Sequence, residues 1–449
     1  MSAASAPVAV RRPGLLASPH LKRLLTCLMV GVVLALLTGK SGSNQHPASG
    51  ITGTFKSANA YVWIAAGAVL WAAITGWQWR GVAVAETYRG LSARPRAVWA
   101  MRPVRYPSYA VLLLAAIIVP NWLNGFWQEV LVGQIAPYVL LAIGLNVVVG
   151  FAGLLDLGYI AFYAVGAYSA AYWTNQLPAH PPFTVNVFWA FPLAVVAAML
   201  AGVILGAPTL RLRGDYLAIV TLGFGEIIQL VAANSKSVTN GSEGVAPNSV
   251  PNFSFHALGI HYTWPLEVLP GGHMPWYYLI LGIIVVVVIL FHLLENSRVG
   301  RAWVAIREDE VAAEACGINP LKYKVMAFAI GASTSGLAGV FFASKTGVFD
   351  PSSFPFQQSV VVLVLVIFGG MGSLPGAIIG AAVLQYLPQL LRSHIQQPDL
   401  YAYYGVILIA MMIFRPQGVW PSRRRAREIA QAEAGVGGAD ALGAPGAAP

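Results

Sequence analysis

Four carboxylates crowd into seven positions of the stretch "AIREDEVAAEACGINP" (305–320): Glu308, Asp309, Glu310 and Glu314. Acids at this spacing make ion pairs along a helix. Glu310 and Glu314 stand four residues apart on one face, and Arg307 can pair with Glu310 or reach Glu308. Val304, Val311, Ala315 and Ile318, spaced by seven, four and three, share a stripe on another face. Gly317 ends the pattern and Pro320 follows, as helix stop signals require. The pattern predicts a short amphipathic helix lying along a membrane surface between two apolar runs. A solvated linker helix of balanced charge fits the same residues.

Two further acids stand at apolar runs. Glu226 sits mid-way in "YLAIVTLGFGEIIQLVAAN", and Asp156 opens "LDLGYIAFYAVGAY". A carboxylate at a bilayer centre costs about 2.5–3.5 kcal/mol, so it faces a bundle interior or a watery path. Glu226, with Thr221 in the same run, lines a hydrophilic route or hydrogen-bonds a neighbouring helix; both roles stay open. Gly223 and Gly225 beside it permit close helix approach. Asp156 follows "GFAGLL" at a predicted membrane end, where an acid favours a helix N-terminus. It is read as a cap, and kept with Thr221 and Glu226 as a path candidate.

Other chemistry is missing from the sequence. "TGKS" (38–41) ends like a phosphate-binding loop, but Leu34 stands where the first glycine must be. No catalytic motif and no paired-cysteine spacing is present, so no enzyme activity, cofactor or metal site is expected. His46, His180, His256, His261, His273 and His394 are scattered without ligand spacing. Cys27 and Cys316 fall in an apolar run and in the acidic loop, an improbable disulfide pair.

The elements that carry these residues follow from composition. Of 449 residues, 57% are hydrophobic and 10% charged, and the mean hydropathy is +0.66. Soluble domains carry about 25% charged residues. Apolar runs near the ~20 residues that cross a bilayer recur at 21–38, 59–79, 108–123, 130–150, 156–175, 187–209, 216–234, 275–294, 325–345, 357–371, 375–391 and 400–414. The run at 357–371 ends in "GGMGSLPG" and reads as short or re-entrant. The runs are apolar on every face, which excludes the alternation of a membrane β-barrel. The fold class is therefore an all-α polytopic membrane protein with about 10–12 transmembrane helices.

Charge sets its orientation, because basic loops stay cytoplasmic. With both termini inside, all but five of the 27 Lys and Arg (Lys40, Lys56, Lys236, Lys345 and Arg392) fall on the cytoplasmic side. The net charge of +10 is thus a topology signal and requires no nucleic-acid partner. The basic front and apolar run of the first 40 residues resemble a signal peptide but carry no A-x-A-like cleavage site, so a retained helix is expected. The tail 422–449 is rich in Ala, Gly and Pro and reads as disordered. The loop 235–274 is long, nearly uncharged and external, and is either a solvated connector or a surface for an extracytoplasmic partner.

The acidic loop resembles the cytoplasmic coupling loop of ABC importer permeases. The form "VAAEACG" resembles one branch, the M-type permeases of branched-chain amino acid importers. "LRLRGDYLAIVTLGFGEIIQLV" (210–231), "TNGSEGV" (239–245), "SRVGRAWVAIREDEVAAEACGI" (297–318), "GGMGS" (369–373) and "RPQGVWP" (415–421) carry the likeness in order. "TNGSEGV" departs from the family's T-G-G-x-x-G-I. The resemblance covers about 130–421, within a permease core of 108–421; residues 1–107 read as an N-terminal extension with two transmembrane helices and a basic cytoplasmic loop.

The resemblance implies a permease subunit of an ATP-driven importer in a bacterial cytoplasmic membrane. It implies pairing with a homologous second permease, two ATPase subunits below, and a soluble binding protein that delivers branched-chain amino acids from outside. It assigns ATPase coupling to Arg307, Glu308, Asp309, Glu310, Glu314 and Gly317. It places binding-protein contact at Thr239, Asn240, Gly241, Ser242 and Gly244. A urea or short-amide permease is the nearest alternative, since those subunits are sister sequences. An ion-coupled secondary transporter using Glu226 is a third, without the internal repeat such proteins often show.

Overall fold

The computed structural model describes residues 114, 116–209, 215–245, 253–257, 260–264, 274–390, 399–414 and 418–420. The expected spans at 21–38 and 59–79, the loop 80–107, Arg211 and Arg213, and the tail 422–449 lie outside these. Two compact units divide the chain: Met1–Ala116 with Ser393–Val406, and Ile117–Arg392 with Ile407–Pro449. All candidate residues belong to the second.

Its helices are α1 (Gly125–Phe151), α2 (Ile160–Trp173), α3 (Val187–Thr209), α4 (Asp215–Asn234), α5 (Met274–Glu295), α6 (Arg298–Glu308), α7 (Glu310–Ala315), α8 (Pro320–Thr346), α9 (Phe356–Gly369) and α10 (Leu374–Leu390). A further helix, α11 (Asp399–Phe414), crosses the boundary between the units. Six described segments are long and apolar enough to cross a membrane: Gly125–Phe151, Val187–Pro208, Tyr216–Asn234, Met274–Glu295, Pro320–Thr346 and Pro351–Gly369. The protein is thus an all-α, multi-pass membrane protein. One small exception is an antiparallel hairpin, Phe253–Ala257 with Ile260–Trp264, in the long loop 235–274.

Helix α1 is not uniform. It widens to π geometry at Leu131–Ile135 and again at Asn146–Phe151. The first widening precedes Pro137, which has no N–H and whose ring would crowd the carbonyl four residues back; an extra residue in the turn relieves that clash. Such π-bulges are frequent at functional sites.

Helix α8 is the central post and packs against α2, α3 and α1. Small residues make this close approach feasible in a bilayer, where dispersion contacts replace the hydrophobic effect between helices. A Cβ at Gly166 of α2 would collide with the Gly336 carbonyl of α8, so the two backbones touch. The run at 357–371 resolves as α9, whose 14 residues rise only about 21 Å. Its end turns through Gly370 and Gly372 at φ +120° and +76° before α10 begins. The backbone N–H groups of Val419 and Trp420 then donate to the Phe368 and Gly369 carbonyls.

Candidate functional site: a coupling segment, a broken helix and an outer turn

The acidic stretch forms two helices rather than one. Ser297 caps α6 by accepting from the N–H groups of Val299 and Gly300. Asp309 then leaves the helix at φ −153°, ψ 111° and caps α7, accepting from Val311 at 2.9 Å and Ala312 at 3.0 Å. Gly317, at φ +83°, closes α7: its N–H donates to Glu314, and Ile318 N–H to Ala313. Pro320 opens α8 after the Asn319 cap.

This break overturns the expected single stripe. Val304 lies on α6 and Val311 on α7, and Val311 is 70% exposed while Ala315 is exposed too. The residues that hold the segment down are Ala302, Trp303, Ile306 and Ala313. Trp303 is buried, and its indole N–H donates to the Tyr323 carbonyl at 2.7 Å. Sequence periodicity missed this because an Asp in mid-pattern fits a helix surface as well as a cap.

The ion pairs also differ from expectation. Arg307 pairs with neither Glu308 nor Glu310; its Nη1 donates to the Gly150 carbonyl in the second π-turn of α1. Glu310 instead meets Lys324 of α8, Nζ to Oε2, at 2.7 Å. Glu308, Asp309, Glu314 and Gly317 remain exposed. The candidates thus divide into two that tie the segment inward, Arg307 and Glu310, and an outer face bearing the others.

Beside Arg307 the α1 terminus is fixed a second way. The Asn146 side-chain carbonyl accepts from the Gly372 N–H at 2.9 Å, although the two stand 226 residues apart. The "GGMGS" turn, the end of α1 and α6 therefore share one corner.

Asp156 and Thr221 come together away from any helix end of the outer surface. The chain between α1 and α2 runs irregularly through 152–159 and is largely buried. Tyr159 Oη donates to the Gly331 carbonyl, near the middle of α8, and Gly158 abuts Gly225, halfway along α4. Helix α2 therefore begins level with the middle of its neighbours. Non-helical backbone at that depth requires internal partners. Leu157 N–H finds Thr221 Oγ1 at 3.0 Å, Gly158 N–H finds Asp156 Oδ1 at 2.9 Å, and Ile160 N–H finds Ser359 Oγ at 3.0 Å.

Asp156 accepts from Gly158 in the loop before α2, but it does not cap the helix as its sequence position suggests: the N-cap of α2 is Tyr159, with no side-chain cap. It lies at mid-bundle rather than at a membrane end. Its Oδ2 has no hydrogen-bond partner among the described residues, though the side chain is fully buried. Ser359 had no signal in the sequence that set it apart. Glu226 does not join this cluster: it sits half-buried on the flank of α4 and has no hydrogen-bond or ion-pair partner among the described residues.

The segment "TNGSEGV" folds as a tight turn. Thr239 Oγ1 donates back to the Ala232 and Ser235 carbonyls, and Asn240, at φ +66°, donates from Nδ2 to the Gly244 carbonyl. Ser242 Oγ donates to the Ala233 carbonyl at 3.4 Å. Gly241 and Gly244 are buried with positive φ; a Cβ at Gly244 would lie 2.5 Å from the Phe349 carbonyl. Val245 then pairs with Phe349, inside a cluster of Tyr168, Phe342 and Phe354 rings. Most of these polar groups therefore serve the turn itself, and Ser242 and Glu243 face outward.

Among the described residues no cluster of His, Cys, Asp and Glu could hold a metal ion. Comparison with known proteins is decisive for the family. A family model described as "Branched-chain amino acid transport system / permease component" matches residues 129–415. The LivM permease protein of the high-affinity branched-chain amino acid transport system of Escherichia coli (strain K12) is 39% identical over 301 residues, covering 64% of this chain and 68% of that protein. LivM of Salmonella typhimurium (strain LT2) is 38% identical over 303 residues, with the same coverage. LivH of Escherichia coli (strain K12), a permease protein of the same system, is 25% identical over 63% of this chain and 91% of its own. No solved structure matches the chain.

Proposed function

The chain belongs to the branched-chain amino acid transport permease family, and on that premise we propose how it works. It is a transmembrane permease subunit of an ABC importer for branched-chain amino acids. A homologous permease is its neighbour across the translocation path, and two ATPase subunits bind on the cytoplasmic side. A soluble binding protein delivers substrate from outside. Both termini are cytoplasmic, which puts α6, α7 and the corner at Gly150 and Gly372 on the ATPase side.

One observation carries the coupling role: the short helix α7 is exposed on its outer face and fastened on its inner one. Val311, Glu314 and Ala315 point away from the bundle, while Ala313 and the Glu310–Lys324 pair hold it to α8. A short capped helix transmits displacement as a rigid piece. Arg307 passes that displacement to the end of α1, and Trp303 passes it to α8. Nucleotide-driven closure of the ATPases would thereby move two membrane helices together.

The path assignment rests on the mid-bundle break. An irregular segment with a buried, half-satisfied carboxylate at Asp156 and a neighbouring Thr221 supports a place beside the route. Glu226 has no partner among the described residues to explain its presence in an apolar helix, which supports its facing the route or the second permease.

Cys316 supplies the test. It is a free, exposed thiol next to α7. With Cys27→Ser making it the sole cysteine, maleimide labelling of Cys316 in membranes is expected to be slow when the ATPase subunits are present and fast after they are stripped. Equal labelling in both states would remove α7 from the interface.

A further inference from the structure

A cavity of about 230 Å³ opens beside the first π-turn of α1, at the end of the bundle opposite Arg307. Its polar side chains are Glu129 and Gln134 of α1, Lys345 and Thr346 of α8 and Gln389 of α10. Lys345 Nζ pairs with Glu129 Oε1 at 2.5 Å, and the Gln389 amide donates to the Gln134 side-chain carbonyl. Val130 and Phe341 form a buried apolar floor, and Phe126 stands half-exposed at the rim. Gly133 makes the room: a Cβ there would lie 2.9 Å from Lys345 Nζ and 3.1 Å from Glu129 Oε1.

We propose that this cavity is an outer binding site for a zwitterionic α-amino acid with an apolar side chain, taken up on arrival from outside. The inference rests on the importer reading and on its orientation, which puts the end of α8 at Lys345 on the extracytoplasmic side.

The electrostatics select the class of solute. An α-carboxylate pairs with the Lys345 ammonium and an α-ammonium with the Glu129 carboxylate, so one ion pair is exchanged for two and no charge is stranded. A lone acid or a lone amine would break the protein's pair and satisfy only half of it. A buried or half-buried charge left without its partner is the costly outcome. Urea, carrying no charge, offers each group only a hydrogen bond from a neutral partner and cannot replace the ion pair.

Size points the same way. Sites for drug-sized ligands run to roughly 300–1,000 Å³, so this smaller cavity suits a solute of amino-acid size. The apolar floor of Val130 and Phe341 would take the side chain, with the two amides at the mouth.

The site also lies on the element that the coupling segment grips. Glu129 and Gln134 are on α1, and the same helix ends at Gly150, where Arg307 holds it. A shift imposed on that end reaches the cavity through one continuous helix, with Pro137 and the π-turn as the yielding point.

The test is leucine binding to the importer complex purified from its own membranes without binding protein, read by displacement of radiolabelled L-leucine. ATP-driven leucine uptake is measured on the same preparation in liposomes with binding protein. L-Leucine is expected to displace the label, while 4-methylpentanoate (no amine), isopentylamine (no carboxylate) and urea compete at least about tenfold more weakly. Lys345→Met and Glu129→Gln are expected to weaken leucine at least about tenfold, while Lys345→Arg stays within about threefold. Absent leucine binding by wild type, equal competition by the single-charge analogues, or unchanged binding in Lys345→Met would overturn the site. The analogue series uses wild-type protein, so a variant that fails to fold does not leave the question open. Failure of ATP-driven uptake by wild type would instead sink the importer reading, whatever the displacement shows.

Discussion

Arg307 reaches back across 157 positions of sequence to donate from Nη1 to the main-chain carbonyl of Gly150. The bond joins the segment proposed to meet the ATPases to the C-terminal end of α1, a helical run of 27 residues. Its acceptor lies in a π-turn, where the carbonyl pattern is loosened relative to a regular helix.

Removing that bond should uncouple more than it unfolds. A hydrogen bond from a charged group is worth about 1.5–3 kcal/mol. Arg307→Met is expected to lower ATP-driven uptake at least about tenfold while the subunits still co-purify, with Arg307→Lys partly restoring it. Uptake at the wild-type rate in Arg307→Met would remove the latch from the mechanism.

Thr221 has a structural duty that can be separated from any role in the path. It gives Leu157 N–H its hydrogen bond inside the bundle. Thr221→Val leaves that donor unmet and should destabilise the protein by about 1–3 kcal/mol, whereas Thr221→Ser should be near neutral. Thermal melting in detergent reads the difference; a Val variant as stable as wild type would mean that Leu157 finds another acceptor.

Glu226 should behave in the opposite way. With no partner among the described residues, Glu226→Gln is expected to change stability by no more than about 0.5 kcal/mol. Uptake in the same variant should fall if Glu226 lines the proposed route, since an uncharged side chain alters its polarity. ATP-driven uptake that persists at full rate would assign Glu226 to assembly or lipid contact; uptake dependent on a proton gradient and abolished by the variant would revive ion coupling.

Glu314 and Glu310 are not equivalent probes of docking. Glu310→Lys would set a second ammonium against Lys324 and damage the attachment of α7. Glu314→Lys changes only an exposed face, so it should leave melting unchanged and still reduce recovery of ATPase subunits with the purified chain. Undiminished recovery would argue that apolar contact at Val311, not charge, makes the interface.

Loss of the Asp309 cap should loosen α7 alone. Asp309→Ala removes the one carboxylate oxygen that accepts from both Val311 and Ala312 and is expected to cost about 1 kcal/mol locally. Amide hydrogen exchange should rise in 310–316 while 298–306 stays protected. Uniform exchange across both segments would mean that they form one cooperative unit.

Much of this was readable from the chain as written. Hydropathy placed the runs that became α3, α4 and α5 within a residue at each end, because a bilayer demands about 20 apolar residues and tolerates few charges; α8 begins five residues before its apolar run. The glycine and proline at 317 and 320 marked the end of α7 and the start of α8. Sequence also singled out the acidic loop, since a cluster of carboxylates in so apolar a chain needs a reason.

Tertiary structure alone decided where those carboxylates went. Asp309 could have been an exposed helix residue or a cap; in the fold it is the cap of α7, beside an α6 fastened to α8 through Trp303. Arg307 had acidic neighbours within one turn yet chose a carbonyl 157 positions away. The depth of Asp156, the bonds from its segment to Thr221 and Ser359, and the cavity shared by Glu129 and Lys345 likewise arise from helices far apart in sequence. Local pattern fixes the length and greasiness of each helix because those depend on its own residues and the solvent. Partner choice depends on which small residues let backbones touch, as at Gly166 and Gly336, and that is a property of surfaces brought together rather than of any one segment.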